Sequence, residues 1–211
     1  MTQKVIIFDF DGTIADTVDA LVSIANRLAL EFGYVQITQQ ELALLRNLTS
    51  REIIKYAGIS VFKIPFLVKK VKAELKNKIH EFKPIPGIQE ALIELKSQGY
   101  KLGIITSNSK DNVNEFLKIN DLASLFDFIY SGVTIFGKRT IINNVLRQKQ
   151  LKPNEVTYVG DETRDVEASK KANIQVIAVT WGFNSSEVLA KQKPDFLIHH
   201  PSELLKVLRN K

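Results

Sequence analysis

Six short apolar runs recur along the chain, each ending on a polar residue: KVIIFD (4–9), KLGIIT (101–106), FDFIYS (126–131), VTYVGD (156–161), IQVIAVT (174–180) and DFLIHH (195–200). Apolar runs of this length predict strands buried on both faces, as in a parallel sheet. Helical patterns separate them from about residue 86 onward. The stretch PGIQEALIELKSQGY opens with Pro86 and closes on Gly99, the asymmetry of a helix start and stop. SKDNVNEFLKI, KRTIINNVLRQKQ, ETRDVEASKKA and SEVLAKQ follow in the same role. This alternation predicts an α/β fold, a parallel sheet with helices on both faces.

Residues 17–83 break the alternation and read as helix after helix. TVDALVSIANRLALEFG ends on Gly33, TQQELALLRNL begins at Thr38, and TSREIIKYAG ends on Gly58. In IPFLVKKVKAELKNKIHEF, Ile64, Leu67, Val68, Val71, Leu75, Ile79 and Phe82 recur every three to four residues, one face of an amphipathic helix. FKPIPG then forms a stiff connection. The pattern predicts an all-helical domain, 17–83, inserted between the first and second strands of a core made of 1–16 and 84–211. Its linkers fall near Ala15–Thr17 and Lys83–Pro86.

A length of 211 residues, 45% of them hydrophobic, suits a core that carries such an insertion. No run approaches the ~18 apolar residues of a membrane helix, and no basic and apolar leader opens the chain. With no cysteine there are no disulfides or thiolate metal sites, and the expected location is the reducing cytoplasm. On the same ground Asn47-Leu48-Thr49 and Asn184-Ser185-Ser186 are read as chance matches to glycosylation acceptors. The net charge is +6, but lysines alternate with acids nearly everywhere. The densest group, Lys69, Lys70, Lys72, Lys76 and Lys78, falls where the amphipathic helix needs a polar face, without interleaved aromatics for base stacking. Neither a nucleic-acid nor a membrane partner is expected; a modest attraction for small anions is.

The chemistry gathers at the strand ends. In the stretch VIIFDFDGTIA, a strand's period of two sends Asp9 and Asp11 to the same side while Phe10 points away. Two like charges so held call for a metal, a shared proton or a division of labour. Ligands of open parallel sheets bind beyond the carboxyl ends of the strands. There the second run supplies Thr106, Ser107 and Asn108, and the fourth ends in GDETRD with Asp161 and Asp165. Four carboxylates at one rim make a hard-oxygen site suited to Mg²⁺. Lys138 opens the helix after the third run, and Glu162 is expected in the solvated first turn of its own helix.

Taken in order, these motifs resemble those of the haloacid dehalogenase superfamily of phosphohydrolases. DxDGT is filled by Asp9, Asp11, Gly12 and Thr13; a hydroxyl ending a strand by Thr106; the lysine by Lys138; GDxxxD by Gly160 to Asp165. The resemblance spans the whole chain and implies a Rossmann-like core. The helical insertion stands where phosphoglycolate phosphatase-like members carry a cap. In that family's chemistry Asp9 is the nucleophile that becomes phosphorylated and Asp11 the acid and base. Mg²⁺ sits on Asp9, the backbone carbonyl of Asp11 and Asp161, with Asp165 orienting its shell or Lys138. Phosphate is held by Gly12, Thr13, Thr106, Ser107 and Lys138. The resemblance thus implies a Mg²⁺-dependent phosphatase of a small phosphate ester, monomeric or homodimeric, whose cap chooses the substrate. Arg46, Asn47, Thr49 and Arg51 are the candidates there.

Three rivals accompany this reading. A phosphomutase on the same fold would pass the phosphoryl group to a sugar, with Arg51 matching a position that holds a second phosphate in β-phosphoglucomutase-like relatives. A P-loop nucleotide binder is suggested by GVTIFGKR (132–139), but Arg139 stands where a hydroxyl must bind Mg²⁺. A non-enzymatic binding protein would leave the filled catalytic positions without a use.

Overall fold

The structure is a computed structural model that describes residues 4–131 and 137–209. Six parallel strands form one sheet in the order β3-β2-β1-β4-β5-β6. They are β1 (Val5–Phe8), β2 (Lys101–Ile105), β3 (Phe128–Tyr130), β4 (Val156–Gly160), β5 (Gln175–Val179) and β6 (Phe196–Ile198). All six fall inside the apolar runs of the sequence. β1 lies at the centre, where Phe8 is in register with Ile104 on one side and Val159 on the other.

The strand period divides the core. Ile6 and Phe8 face one layer, packed with residues of α5 (Ile88–Ser97), α6 (Lys110–Ile119) and α10 (Leu204–Arg209). Val5 and Ile7 face the other, against Ile142 and Val145 of α7 (Lys138–Gln148) and Ala168 of α8 (Thr163–Lys171). Leu189 of α9 (Ser186–Lys191) packs under β5. Both faces are covered, so the strands are mainly apolar, with polar residues confined to Lys101 and Gln175 at strand starts and to Thr157, whose hydroxyl donates to Gln175.

Between β1 and β2 run α1 (Val18–Phe32), α2 (Gln39–Leu45), α3 (Ser50–Tyr56) and α4 (Ile64–Lys78). Gly33 ends α1 in the left-handed region at φ 70°, which glycine adopts without steric cost. Thr38 and Thr49 open α2 and α3 as capping boxes with Glu41 and Glu52. Along α4 the apolar face is half-buried at Val68 and Val71 and closes over fully at Leu75, continuing to Ile79 and Phe82. The two crossings into this segment pair with each other. The Asp16 N–H donates to the Lys83 carbonyl at 3.0 Å, and the Ile85 N–H to the Ile14 carbonyl at 2.8 Å.

Candidate active site

Beyond Phe8 the backbone turns sharply. The Ile14 and Ala15 N–H groups both donate to the Phe10 carbonyl, and Gly12 turns at φ 74°. Phe10 is wholly buried, edge-on to Phe116 at 5.1 Å, and anchors the turn from below. Asp9 and Asp11 flank Phe10 in the chain.

Each carboxylate then meets a different environment. Asp9 accepts the Phe10 N–H at 2.8 Å through Oδ1 and the Lys138 ammonium at 2.5 Å through Oδ2. Lys138, at the first turn of α7, is 2% exposed and also pairs with Asp165. Asp165 uses its other oxygen to accept the Glu162 N–H at 3.1 Å. Burial works against the Lys138 charge, but Asp165 and Asp9 outweigh it and hold the ammonium well above its ordinary range. Asp11 turns away from this group and accepts from Thr17 Oγ1 at 3.0 Å and from Asn108 Nδ2 at 3.1 and 3.2 Å. Burial, then the charge of Asp9, pushes its carboxyl up to about 6, against the pull of those hydrogen bonds. One carboxylate is thus ion-paired, and its neighbour titrates close to neutrality.

Asp161 ends β4 between two glycines. Its oxygens accept from Thr13 Oγ1 at 2.7 Å and from the Phe183 N–H at 2.8 Å. A Cβ on Gly12 would stand 2.4 Å from its Oδ2, and one on Gly182 2.3 Å from its Cβ and Oδ2. Only bare backbone fits on either side. Burial first, then Glu162, Asp9 and Asp165, push Asp161 well above the usual carboxylate range. Oxygens of Asp9, Asp161 and Asp165 lie within 4.8 Å of one another. An all-oxygen set, crowded and short of positive charge, fits a hard divalent cation such as Mg²⁺. The Asp11 side chain is outside this group. Thr106 is fully buried at the end of β2, and its Oγ1 accepts the Asn108 N–H at 3.0 Å.

A cavity of about 340 Å³ reaches Asp11 and Asp161 of these groups, while Asp9, Thr106, Lys138 and Asp165 are not in its lining. Asp11, Ser107, Asn108, Asp161, Glu162 and Arg164 form its floor; Leu21, Ile37, Leu45, Ile54, Val68 and Val71 are among the apolar residues of its helical wall. Glu162 is not solvated as expected. Its carboxylate pairs with Arg164 at 2.5 Å and accepts from Ser50 at 3.2 Å, because α3 lies across the first turn of α8. Lys72 likewise leaves the solvated face assigned to its group and lines the cavity beside Val71.

None of Arg46, Asn47, Thr49 and Arg51 lines that cavity. Arg46 donates to the carbonyls of Gly182 at 2.6 Å and Phe183 at 2.9 Å. Asn47 accepts from Ser185 Oγ at 2.5 Å, Thr49 caps α3, and Arg51 pairs with Glu167 at 3.7 Å. Buried Asn184 ties the same seam, donating to the carbonyls of Arg46 at 3.1 Å and Leu48 at 3.0 Å. The sequence reading placed Asn108 at the rim without a partner and gave no role in the site to Thr17 or residues 181–184. A signal existed for the last group, since the strand-end rule applied to the first, second and fourth runs applies equally to the fifth. The segment Gly132–Phe136, most of the P-loop-like stretch, lies outside the described residues. Lys138, its lysine, has its ammonium on two carboxylates.

Residues 6–179 match the family model described as haloacid dehalogenase-like hydrolase. The phosphoglycolate phosphatase of Synechococcus elongatus is 39% identical over 206 residues, covering 98% of this chain and 97% of that protein. Among solved structures, a predicted phosphatase from Clostridium acetobutylicum superposes with a TM-score of 0.84 at 23% identity over all of both chains, a likeness of fold. A chain from Thermotoga maritima provisionally named beta-phosphoglucomutase gives 0.68 at 27% identity over 99% of each. With this match over most of its length and a relative of that identity, the chain belongs to the haloacid dehalogenase-like hydrolase family.

Proposed function

We propose that the chain is a Mg²⁺-dependent phosphatase of a small phosphorylated metabolite of the phosphoglycolate type. The chain is a phosphoric monoester hydrolase, as its family and its relatives' names indicate. The observation that carries the reading is the split between the two carboxylates of the first motif. Asp9 is oriented by Lys138 and lies among the clustered acids, while Asp11 borders the cavity with its carboxyl raised to about 6. Asp9 attacks phosphorus in line, an O–P bond forms, and the bond to the leaving alkoxide breaks. Asp11 gives its proton to that alkoxide, then takes one from the water that hydrolyses the aspartyl-phosphate. Lys138, Thr106, Ser107 and the backbone around Gly12 and Thr13 receive the phosphoryl oxygens. Asp9 and Asp161, with Asp165 beside them, would hold Mg²⁺, which when bound offsets the charge of the carboxylates and the phosphoryl group.

Residues 17–83 act as a cap that closes over the cavity and excludes bulk water while the intermediate forms. Among the described residues no helix is long and apolar enough to cross a membrane, and a cysteine-free chain suits the cytoplasm. The mutase reading is favoured less, because Arg51 pairs with Glu167 outside the cavity. Phosphate release should be measured over a panel of phosphate esters with Mg²⁺ or with chelator, for the parent and for Asp9→Asn. Turnover that requires Mg²⁺ and is lost in Asp9→Asn is expected. Equal turnover by Asp9→Asn, or interconversion of sugar phosphates without phosphate release, would overturn the proposal.

A further inference from the structure

The helical wall of the cavity contains one charged side chain, Lys72 of α4. The other residues that α1 to α4 contribute are apolar, apart from Ser50, whose hydroxyl is on Glu162. Among the described residues no hydrogen bond or ion pair engages the Lys72 ammonium, although Asp11 is within its electrostatic reach. Its backbone is fixed by a chain of amides. Asn112, 1% exposed, donates through Nδ2 to the Lys72 carbonyl at 3.0 Å and to Asn108 Oδ1 at 2.9 Å, and Asn108 holds Asp11. The position of Lys72 is therefore coupled to that of Asp11, which faces the leaving oxygen. Partial burial already costs the ammonium some of its hydration and lowers its affinity for a proton.

We propose that Lys72 is the specificity-determining residue of this site, its ammonium binding a carboxylate carried on the leaving group next to the ester oxygen. The substrates so selected are phosphate monoesters of short hydroxy acids. This rests on the phosphoglycolate-type phosphatase reading above and adds to it the side chain that recognises the carboxylate. A single ammonium on an otherwise apolar wall gives one strong, charge-assisted contact and few partners for hydroxyls. A sugar or nucleoside leaving group would bury hydroxyls against valine, leucine and isoleucine, which is unfavourable. A short carboxylate brings only the group that Lys72 can satisfy. Arg164 on the floor pairs through Nη2 with Glu162 at 2.5 Å, which offsets its charge, whereas Lys72 has no such partner among the described residues.

The test compares kcat/KM for phosphoglycolate with that for ethyl phosphate and for the uncharged amide of phosphoglycolate, in the parent and in Lys72→Met. The parent should prefer the carboxylate by about 30-fold, the range of one charged hydrogen bond. In Lys72→Met that preference should collapse towards unity, mainly through KM for phosphoglycolate. Lys72→Glu should reverse it, and Lys72→Arg should restore most of it. If Lys72→Met fails to fold, the Glu and Arg variants decide the question by the same ratio. Substrate preferences that do not move with the charge at position 72 would overturn the inference while leaving the phosphatase reading intact. So would a parent that prefers pyrophosphate or a sugar phosphate. Absence of turnover on every ester would instead defeat the phosphatase reading itself.

Discussion

Replacing Lys138 with methionine removes the ammonium that sits between Asp9 and Asp165 and keeps a side chain of similar length and volume. Lys138 is 2% exposed, and both partners are buried. Losing one member of a buried, hydrogen-bonded ion pair costs about 3–5 kcal/mol, a large share of the roughly 5–15 kcal/mol that holds a domain folded. For a chain of this size each kcal/mol moves the melting temperature by about 2–4 °C, so a loss of roughly 6–20 °C is expected. The effect should depend on pH with a definite sign. Burial already raises the Asp165 carboxyl to about 6, and without the ammonium it rises further. A raised carboxyl contributes stability below its unfolded value and loses it as pH climbs through the folded one. Near pH 5 protonation therefore relieves much of the deficit, and near pH 8 the deficit is complete. Thermal unfolding of parent and variant in chelator at these two pH values is the assay. A difference under 2 °C at pH 8, or a larger one at pH 5, would refute the idea that this ammonium neutralises the acids around it.

Three further substitutions test separate parts of the site. Asn108→Ala removes donors that lower the Asp11 carboxyl; carbon-13 titration without divalent ions should show a midpoint near 6 in the parent and a higher one in the variant. Gly182→Ala drives a Cβ into Asp161 and should weaken half-saturation by Mg²⁺ about 10–100-fold in a phosphate-release assay, the usual cost of disturbing a ligand's support. An unchanged Mg²⁺ dependence would deny Asp161 its role as a ligand. Arg46→Ala breaks two bonds to the loop after β5 and should cost about 1.5–3 kcal/mol in urea unfolding. A raised KM with unchanged stability would instead make Arg46 a substrate contact.

The sheet was legible because its strands are covered on both faces, which leaves Val5–Phe8 apolar at every position and its counterparts apolar at most. Strand order was not, since the pairing of β1 with β4 joins residues some 150 positions apart and no local periodicity encodes it. Asp9, Lys138, Asp161 and Asp165 could be read because each ends a strand or opens a helix beside one. Gly182 could not, because its requirement is the lack of a side chain beside Asp161, visible only once β4 and β5 are neighbours. Lys72 shows a different limit. Its spacing of three from Leu75 sets it at the edge of the apolar stripe on α4, and a pattern of polar and apolar positions locates a stripe without resolving which way its edge residues turn. Arg46 and Asn47 were expected to meet substrate at the cap loop, but the carbonyls and hydroxyl they meet belong to a segment about 135 residues later.

The charge balance of the site argues for a divalent cation over a second basic side chain. Asp9, Asp161 and Asp165 converge within 4.8 Å, and Lys138 is the ammonium that pairs with two of them. Asp161 has a hydroxyl and a backbone N–H instead, and it is the carboxyl driven well above its ordinary range. A second lysine would satisfy Asp161 and the fold alone, at the expense of the space a phosphoryl group must occupy. Mg²⁺ brings twice the charge in a smaller volume and keeps coordination positions for phosphate oxygens, so it would relieve the carboxylates and attract the substrate together. That requirement also explains the glycines. Gly12 and Gly182 press backbone against both sides of Asp161, leaving the carboxylate little freedom to swing towards Lys138 and pair with it in place of a metal.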